Sequence, residues 1–85
     1  MKLSSLEKYG RGSNGTRVEL NGKTQWYSYK TLVGFRHPKR GLVVHQNDWG
    51  TTTGGHLNNI DGGSPEAKRA RVGADEFAKL FAESV

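Results

Sequence analysis

His37, His45 and His56 are the residues of this 85-residue chain whose side chains best suit metal binding or acid–base chemistry. A metal site would need them to converge with a carboxylate such as Asp48 or Asp61. None stands at the i,i+4 helical or short-loop spacing of a strong ligand pair, so no metal and no other cofactor is expected. The pattern puts His37 in an exposed loop tip and His45 in a strand.

In ββα nucleases of the His-Asn-His type, a hairpin supplies a general base and the following helix a metal-binding His. The order of His45, Asn47 and His56 is similar. The spacing from His45 to Asn47 is too short for that motif, however, and its Asp-His metal pair is missing. The expectation is therefore a protein that is not an enzyme, with a small metal-dependent nuclease as an alternative reading.

A second candidate is the segment Trp49-Gly50-Thr51-Thr52-Thr53-Gly54-Gly55, which precedes a short helix at His56–Ile60. Backbone amides at a helix N-terminus, joined by Thr hydroxyls, suit a phosphate or carboxylate. No Gly-Lys-Ser/Thr follows, so this is not a Walker loop, and a Thr side chain capping the helix accounts for the same residues.

A third candidate is the aromatic set Trp26, Tyr27, Tyr29, Phe35 and Trp49. Strand alternation puts Trp26 on one face and Tyr27 and Tyr29 on the other. One helix can cover one face, so aromatic side chains are expected on an uncovered face beside Lys30, Arg36, Lys39 and Arg40. Such a surface suits base stacking with phosphate contacts, or a protein-binding hot spot. Burial of both faces by loops or a second subunit accounts for the same aromatics. Lys68, Arg69 and Arg71 form a further basic run, which reads as a nucleic-acid patch or as a solvated edge.

The elements that must position these residues follow from periodicity. Leu3 and Leu6 at i,i+3 predict one helical turn. Gly10, Gly12, Ser13, Asn14 and Gly15 then predict a mobile loop, so residues 1–15 are expected to be partly mobile. With Lys8 and Arg11, this Gly-rich arm could also track a phosphate backbone. Thr16–Leu20 alternates as a half-buried strand, and Asn21-Gly22 is a strong hairpin signal leading back through Lys23–Tyr29. Thr31–Arg36 and Leu42–Gln46 predict a second hairpin with Pro38, Lys39 and Arg40 at its tip. Asn47–Gly55 reads as turn and loop. Asp61-Gly62-Gly63-Ser64-Pro65 breaks the chain, and Lys68–Val72 reads as a short edge strand. Ala74–Ser84 is the clearest helix, with Phe77, Leu80 and Phe81 on one stripe and Asp75 and Glu76 in its first turn. The predicted fold is thus α+β: an antiparallel sheet of about four strands, from two β-hairpins, with a C-terminal helix packed on one face. The whole chain, 1–85, forms a single small domain.

Composition bounds what such a domain does. Thirteen Lys and Arg against 8 Asp and Glu give a formal charge of +5, which favours polyanionic partners such as nucleic acid or nucleoprotein. With 33% hydrophobic residues and 12 Gly, the chain has the makings of a thin core, which favours a loop-rich fold or a homodimer over a deep enclosed pocket. The absence of Cys excludes disulfides and thiolate metal sites and fits a cytoplasmic location. The opening MKLSSLEKYG lacks the apolar run of a signal peptide, and no segment is long enough to span a bilayer, so no membrane association is expected.

The residues Tyr27-Ser28-Tyr29-x-Thr31, Phe35-Arg36, Val43-Val44 and Asn47-x-Trp49-x-Thr51-Thr52, continuing to His56-Leu57-Asn58-x-Ile60, resemble a group of small, uncharacterised phage and prophage proteins. In these a YSYxT strand leads to an N-x-W/Y-[S/G]-x-T-T-x-x-H-x-N signature. Asn47 and Trp49 fit, while Thr51-Thr52-Thr53 and an extra Gly shift the offset to His56. The resemblance implies a viral accessory protein with no established catalytic residue. It singles out Asn47, Trp49, Thr52, His56 and Asn58 as a functional loop or a hydrogen-bonded structural corner. By analogy, the expected function is non-enzymatic binding of a host or viral protein or nucleoprotein, as in an anti-CRISPR-like inhibitor of host defence. Direct nucleic-acid binding is the alternative.

Overall fold

A computed structural model describes residues 3–10, 14–20 and 22–84, with the side chains of 3–5 excepted. Strands β1 (Leu3–Lys8), β2 (Gly15–Leu20), β3 (Lys23–Ser28), β4 (Thr31–His37) and β5 (Gly41–Val44) form one sheet whose spatial order is the chain order. Every neighbouring pair is antiparallel. Three helices follow: α1 (Thr51–Asp61), α2 (Pro65–Ala70) and α3 (Ala74–Ser84). The architecture is α+β with five strands rather than four. Among the described residues no helix is long and apolar enough to cross a membrane.

The extra strand is β1. Leu6 lies opposite Val18 on β2, so the Leu3/Leu6 pair belongs to an extended segment and not to a helical turn. Two apolar residues define no period, and pairing with β2 satisfies backbone groups that a lone helical turn would leave open. Met1, Lys2 and residues 11–13 lie outside the described residues, and so does that part of the expected mobile segment. Asn21 of the first hairpin turn also lies outside them; its neighbour Gly22 has φ +78°.

Register assigns the two faces. Leu6, Val18, Gln25, Phe35 and Val43 align across the sheet on one face; Glu7, Arg17, Trp26, Gly34 and Val44 align on the other. On the first face α3 packs Phe77 and Leu80 against Phe35, Val43 and Val72, with Phe81 alongside. The Phe35 ring meets those of Phe77 and Phe81 edge-on, with centroids 5.2 and 5.3 Å away, a favoured aromatic geometry. On the second face α1 packs Leu57 against Trp26, Val33 and Val44, with Ile60 and Tyr9 alongside. Val33 is the extra residue of a bulge, since Trp26 pairs with Gly34 but Tyr27 with Leu32. Ile60 of α1 packs over Gly34, where a Cβ would lie at ordinary contact distance, 3.6 Å, from its side-chain atoms. The expected uncovered aromatic face is therefore covered by a second helix.

That second helix is longer than predicted. It begins at Thr51 inside the expected loop, because leucine and isoleucine spaced along its far half find the Trp26 face to bury against. Gly62, at φ +88°, ends it by a left-handed cap whose amide bonds the Asn58 carbonyl. The expected edge strand at Lys68–Val72 is instead α2, started by Ser64, whose Oγ accepts from the Ala67 amide, and by Pro65 at the first helical position. Val72 alone pairs with the sheet, in a single parallel bridge to His45.

The two faces make separable contributions. Phe35→Ala on the α3 side and Leu57→Ala on the α1 side, at 1% and 0% exposure, should each lower unfolding stability by about 3 kcal/mol in urea titrations.

Candidate functional site

The first turns of α1, the described residues Tyr9, Gly10 and Asn14, and the β3–β4 turn meet around His56. The β3–β4 turn has two residues, Tyr29 and Lys30, between the paired Ser28 and Thr31. Its first position takes φ +57°, in the left-handed region where Gly, Asn or Asp is the usual choice. Tyr29 occupies it instead, with its amide donating to the Asn14 carbonyl at 2.7 Å and 54% of the residue exposed. Tyr29 is thus a turn residue and does not share a strand face with Tyr27.

His56 is 1% exposed. Its Nδ1 lies 2.7 Å from Ser28 Oγ, which in turn lies 3.0 Å from Thr53 Oγ1. The imidazole edge packs on backbone: a Cβ at Gly10 would stand 3.0 Å from His56 Cδ2, and one at Gly15 3.3 Å from the same atom. The Tyr9 and Tyr29 rings stand 5.6 and 6.3 Å away. Tyr9 donates its hydroxyl to the Tyr27 carbonyl at 3.0 Å, and burial holds its phenol far above the ordinary range, hence neutral. Among the described residues, His56 Nε2 is buried with no hydrogen-bond partner.

Above this floor lies a cleft of about 850 Å³, walled by Thr51, Thr52, Gly55 and Asn59 of α1 and by Gly10, Asn14 and Tyr29 opposite. A second recess of about 490 Å³ adjoins it at Asn14 and Tyr29 and is lined by Lys8, Lys30, Thr16 and Thr31. A smaller hollow joins Tyr29 to Trp49. Among the described residues no Asp or Glu lines any of the three. The N-cap of α1 is Gly50, with no side-chain cap and no acidic residue in the first turn, so the expected Thr cap is absent. The cleft runs along the flank of α1 that carries Thr51, Thr52, Gly55 and Asn59.

The remaining predicted site residues fall elsewhere. Trp26 is a core residue, 7% exposed, beneath the Arg36 and Arg17 guanidiniums at 5.6 and 6.0 Å from its ring. Tyr27 is half-buried and donates to Gln25 Oε1 at 2.9 Å. Lys39 and Arg40 sit exposed at the β4–β5 tip, with Arg40 3.7 Å from Glu76. Lys68 and Arg69 are exposed on α2, with Arg69 3.9 Å from Glu66. Trp49 is 46% exposed, its ring 4.8 Å from that of His45. Asn47 closes a local turn, accepting from the Trp49 amide at 3.0 Å and donating to the Gly50 carbonyl at 3.1 Å. Asn58 accepts from Arg71 at 3.0 Å. Thr52 lines the cleft. Sequence reasoning passed over Tyr9, Asn14 and Ser28; the YSY run held Ser28, but its partner is 28 residues away.

The other two histidines are structural. His37 ends β4 and is buried, not exposed at a tip; its Nδ1 accepts the Lys39 and Arg40 amides and its Nε2 lies 3.2 Å from Glu83. His45 stacks near Phe77 on the α3 side, whereas His56 lies on the α1 side. They cannot share a nuclease metal across the sheet. Among the described residues no three His or carboxylate side chains gather as metal ligands.

Arg71 is likewise structural. Its Nε and Nη2 bond both Asp61 oxygens at 2.8 and 2.9 Å, with each side chain 7% exposed. Burial works to raise the Asp61 carboxyl, but hydrogen bonds from Arg71 and the Gly63 amide, with the Arg71 charge, leave it below the usual range. A depressed carboxylate stabilises the fold above its unfolded value of about 3.9, and that stability is lost as pH falls through the folded value. Asp61→Asn should therefore cost about 3 kcal/mol at neutral pH by leaving Arg71 unpaired. The gap to the unmodified chain should close below about pH 4, as read by denaturant unfolding across pH.

No curated protein and no solved structure matches the chain. One family model does, from β1 into α3: over residues 1–79 the chain belongs to a family of unknown function, DUF8033.

Proposed function

We propose that this protein is a non-enzymatic accessory protein that binds single-stranded nucleic acid, free or within a nucleoprotein, at the corner formed by Tyr29, Trp49, Lys30, Lys8 and the start of α1. The observation that carries the reading is Tyr29. An exposed aromatic held at φ +57° costs conformational energy that Gly or Asn would avoid, and such outliers concentrate where a side chain is needed for function. Around it stand a second exposed aromatic, two lysines with no carboxylate partner among the described residues, and an uncapped helix end. Exposed rings take unstacked bases, and lysines with helix amides take phosphates. If the target is a host-defence complex, as the phage resemblance implies, this corner is the surface that meets it.

Anisotropy titration of labelled single-stranded DNA and RNA tests the proposal. Affinity should fall steeply with salt, and Lys30→Glu should weaken binding while reducing the slope by about one. Trp49 emission should change on binding while Trp26, under its arginines, stays silent. Tyr29→Asn should stabilise the fold by about 0.5 kcal/mol yet weaken binding by about 1–3 kcal/mol. Absence of binding at low salt would sink the reading.

A further inference from the structure

The sheet has two edges, and the chain treats them differently. Beyond β5, Val72 bridges to His45, and α2 shares a hollow with Leu42 and Val44. Beyond β1, nothing pairs among the described residues. An open edge strand is a template for another strand unless charge, proline or a cover blocks it. β1 has no proline. Its charged side chains are turned back along the sheet, Glu7 bonding Arg17 and Lys8 reaching the Thr16 hydroxyl at 3.2 Å. Leu6 stands between the two edges of that strand at 58% exposure, the most exposed large apolar residue among those described.

The ladder with β2 determines which backbone groups face outward. The Tyr9 amide donates to the Gly15 carbonyl at 3.1 Å, and the same register continues through Glu7↔Arg17 and Ser5↔Glu19. Antiparallel pairs alternate between bonded and non-bonded, so the odd-numbered residues of β1 bond β2. The amides and carbonyls of Leu6 and Lys8 point away from the sheet. Leu6 thus combines an open backbone donor, an open acceptor and an exposed apolar side chain.

A two-fold axis normal to the sheet pairs two β1 strands antiparallel and keeps every residue on its own face. What meets across the axis then selects the register. Centred on Glu7 or on Lys8, the axis sets like charges directly opposite, which destabilises a strand pair. Centred on Ser5, the bonded pairs run through Ser4, at the bulge between Leu3 and Ser5. Centred on Leu6, the two Leu6 residues exchange both backbone bonds, while Glu7 meets Ser5 and Lys8 meets Ser4 of the second copy. Leu6 lies beside Val18 on the face that carries α3, so this register joins the Val18 and Leu6 rows of both copies into one apolar strip.

We propose that the outer edge of β1 is a homodimer interface, at which a second copy of the chain pairs antiparallel with Leu6 opposite Leu6 and the two sheets become one. The bulge keeps the pairing short, so the dimer dissociates readily on dilution. The interface stands whether or not the Tyr29 corner binds nucleic acid.

Cysteine cross-linking tests it, because the chain has no Cys of its own. Opposed residues of a bonded antiparallel pair have Cα atoms about 5.5 Å apart, within disulfide reach. The two Lys8 residues would instead be offset by about 13 Å along the strands. Under mild oxidation, Leu6→Cys should form a disulfide-linked dimer at least tenfold faster than Lys8→Cys. In sedimentation, the unmodified chain should dimerise as its concentration rises to about 1 mM. Leu6→Lys, at an exposed position, should keep the thermal unfolding transition and stay monomeric. The proposal is overturned if Leu6→Cys cross-links no faster than Lys8→Cys, if the unmodified chain is monomeric throughout, or if folded Leu6→Lys dimerises as before. Should Leu6→Lys fail to fold, the cross-linking ratio still decides. A chain that stays monomeric leaves the edge to a strand of another protein and sinks the second-copy assignment.

Discussion

The hydrogen bond between Ser28 and the His56 imidazole joins parts of the molecule that no shared element connects. Ser28 ends β3 at the base of the Tyr29 turn, and His56 lies in the middle of α1. Apolar contact through Leu57 and Ile60 holds α1 on the sheet, but such contact is non-directional. The Thr53–Ser28–His56 chain supplies direction and fixes how the helix is rotated. An open Nε2 in this buried setting costs about 1–3 kcal/mol. The fold tolerates it because Trp26, Val33 and Leu57 bury beside it.

How much of this was legible depends on where each signal was local. The β2–β3 hairpin, the α3 stripe of Phe77, Leu80 and Phe81, and the two-hairpin core of the sheet are written in short-range pattern, and the structure has them. The strand β1 is not, because Leu3 and Leu6 fit a helix turn as well as a strand and β2 decided between them. The helix α1 starts with Thr and Gly, poor helix formers, and forms because the Trp26 face needed cover. The helix α2 was legible and missed: Ser64-Pro65-Glu66 is a helix-start signature. The cleft was half visible. Thr51, Thr52 and His56 stood out by type, but Tyr29 read as a strand residue, and its positive φ follows from a two-residue turn that no Gly or Asn announced.

Charge tells a similar story. A net +5 invites the picture of one basic face, yet several cations are committed to the fold. Arg17 bridges Glu7 and Glu19, Arg71 grips Asp61, and Arg40 and Arg69 stand near Glu76 and Glu66. The Lys23 ammonium meets the Ser84 carbonyl near the end of α3. Arg36 lies over the Trp26 ring. At the Tyr29 corner, by contrast, no Asp or Glu lines the clefts among the described residues.

Because the strands pair in chain order, every ladder closes a short loop. Low contact order of this kind favours rapid formation of the meander. The Ser28–His56 bond spans 28 residues and the α3 contacts with β4 span more, so both helix layers close the larger loops. A nascent or partly opened molecule can therefore hold a formed sheet while α1 is still unseated. In that state the cleft does not exist and the Trp26 face lies bare, so the timing of helix docking governs both when the site matures and how long the chain is exposed to wrong association.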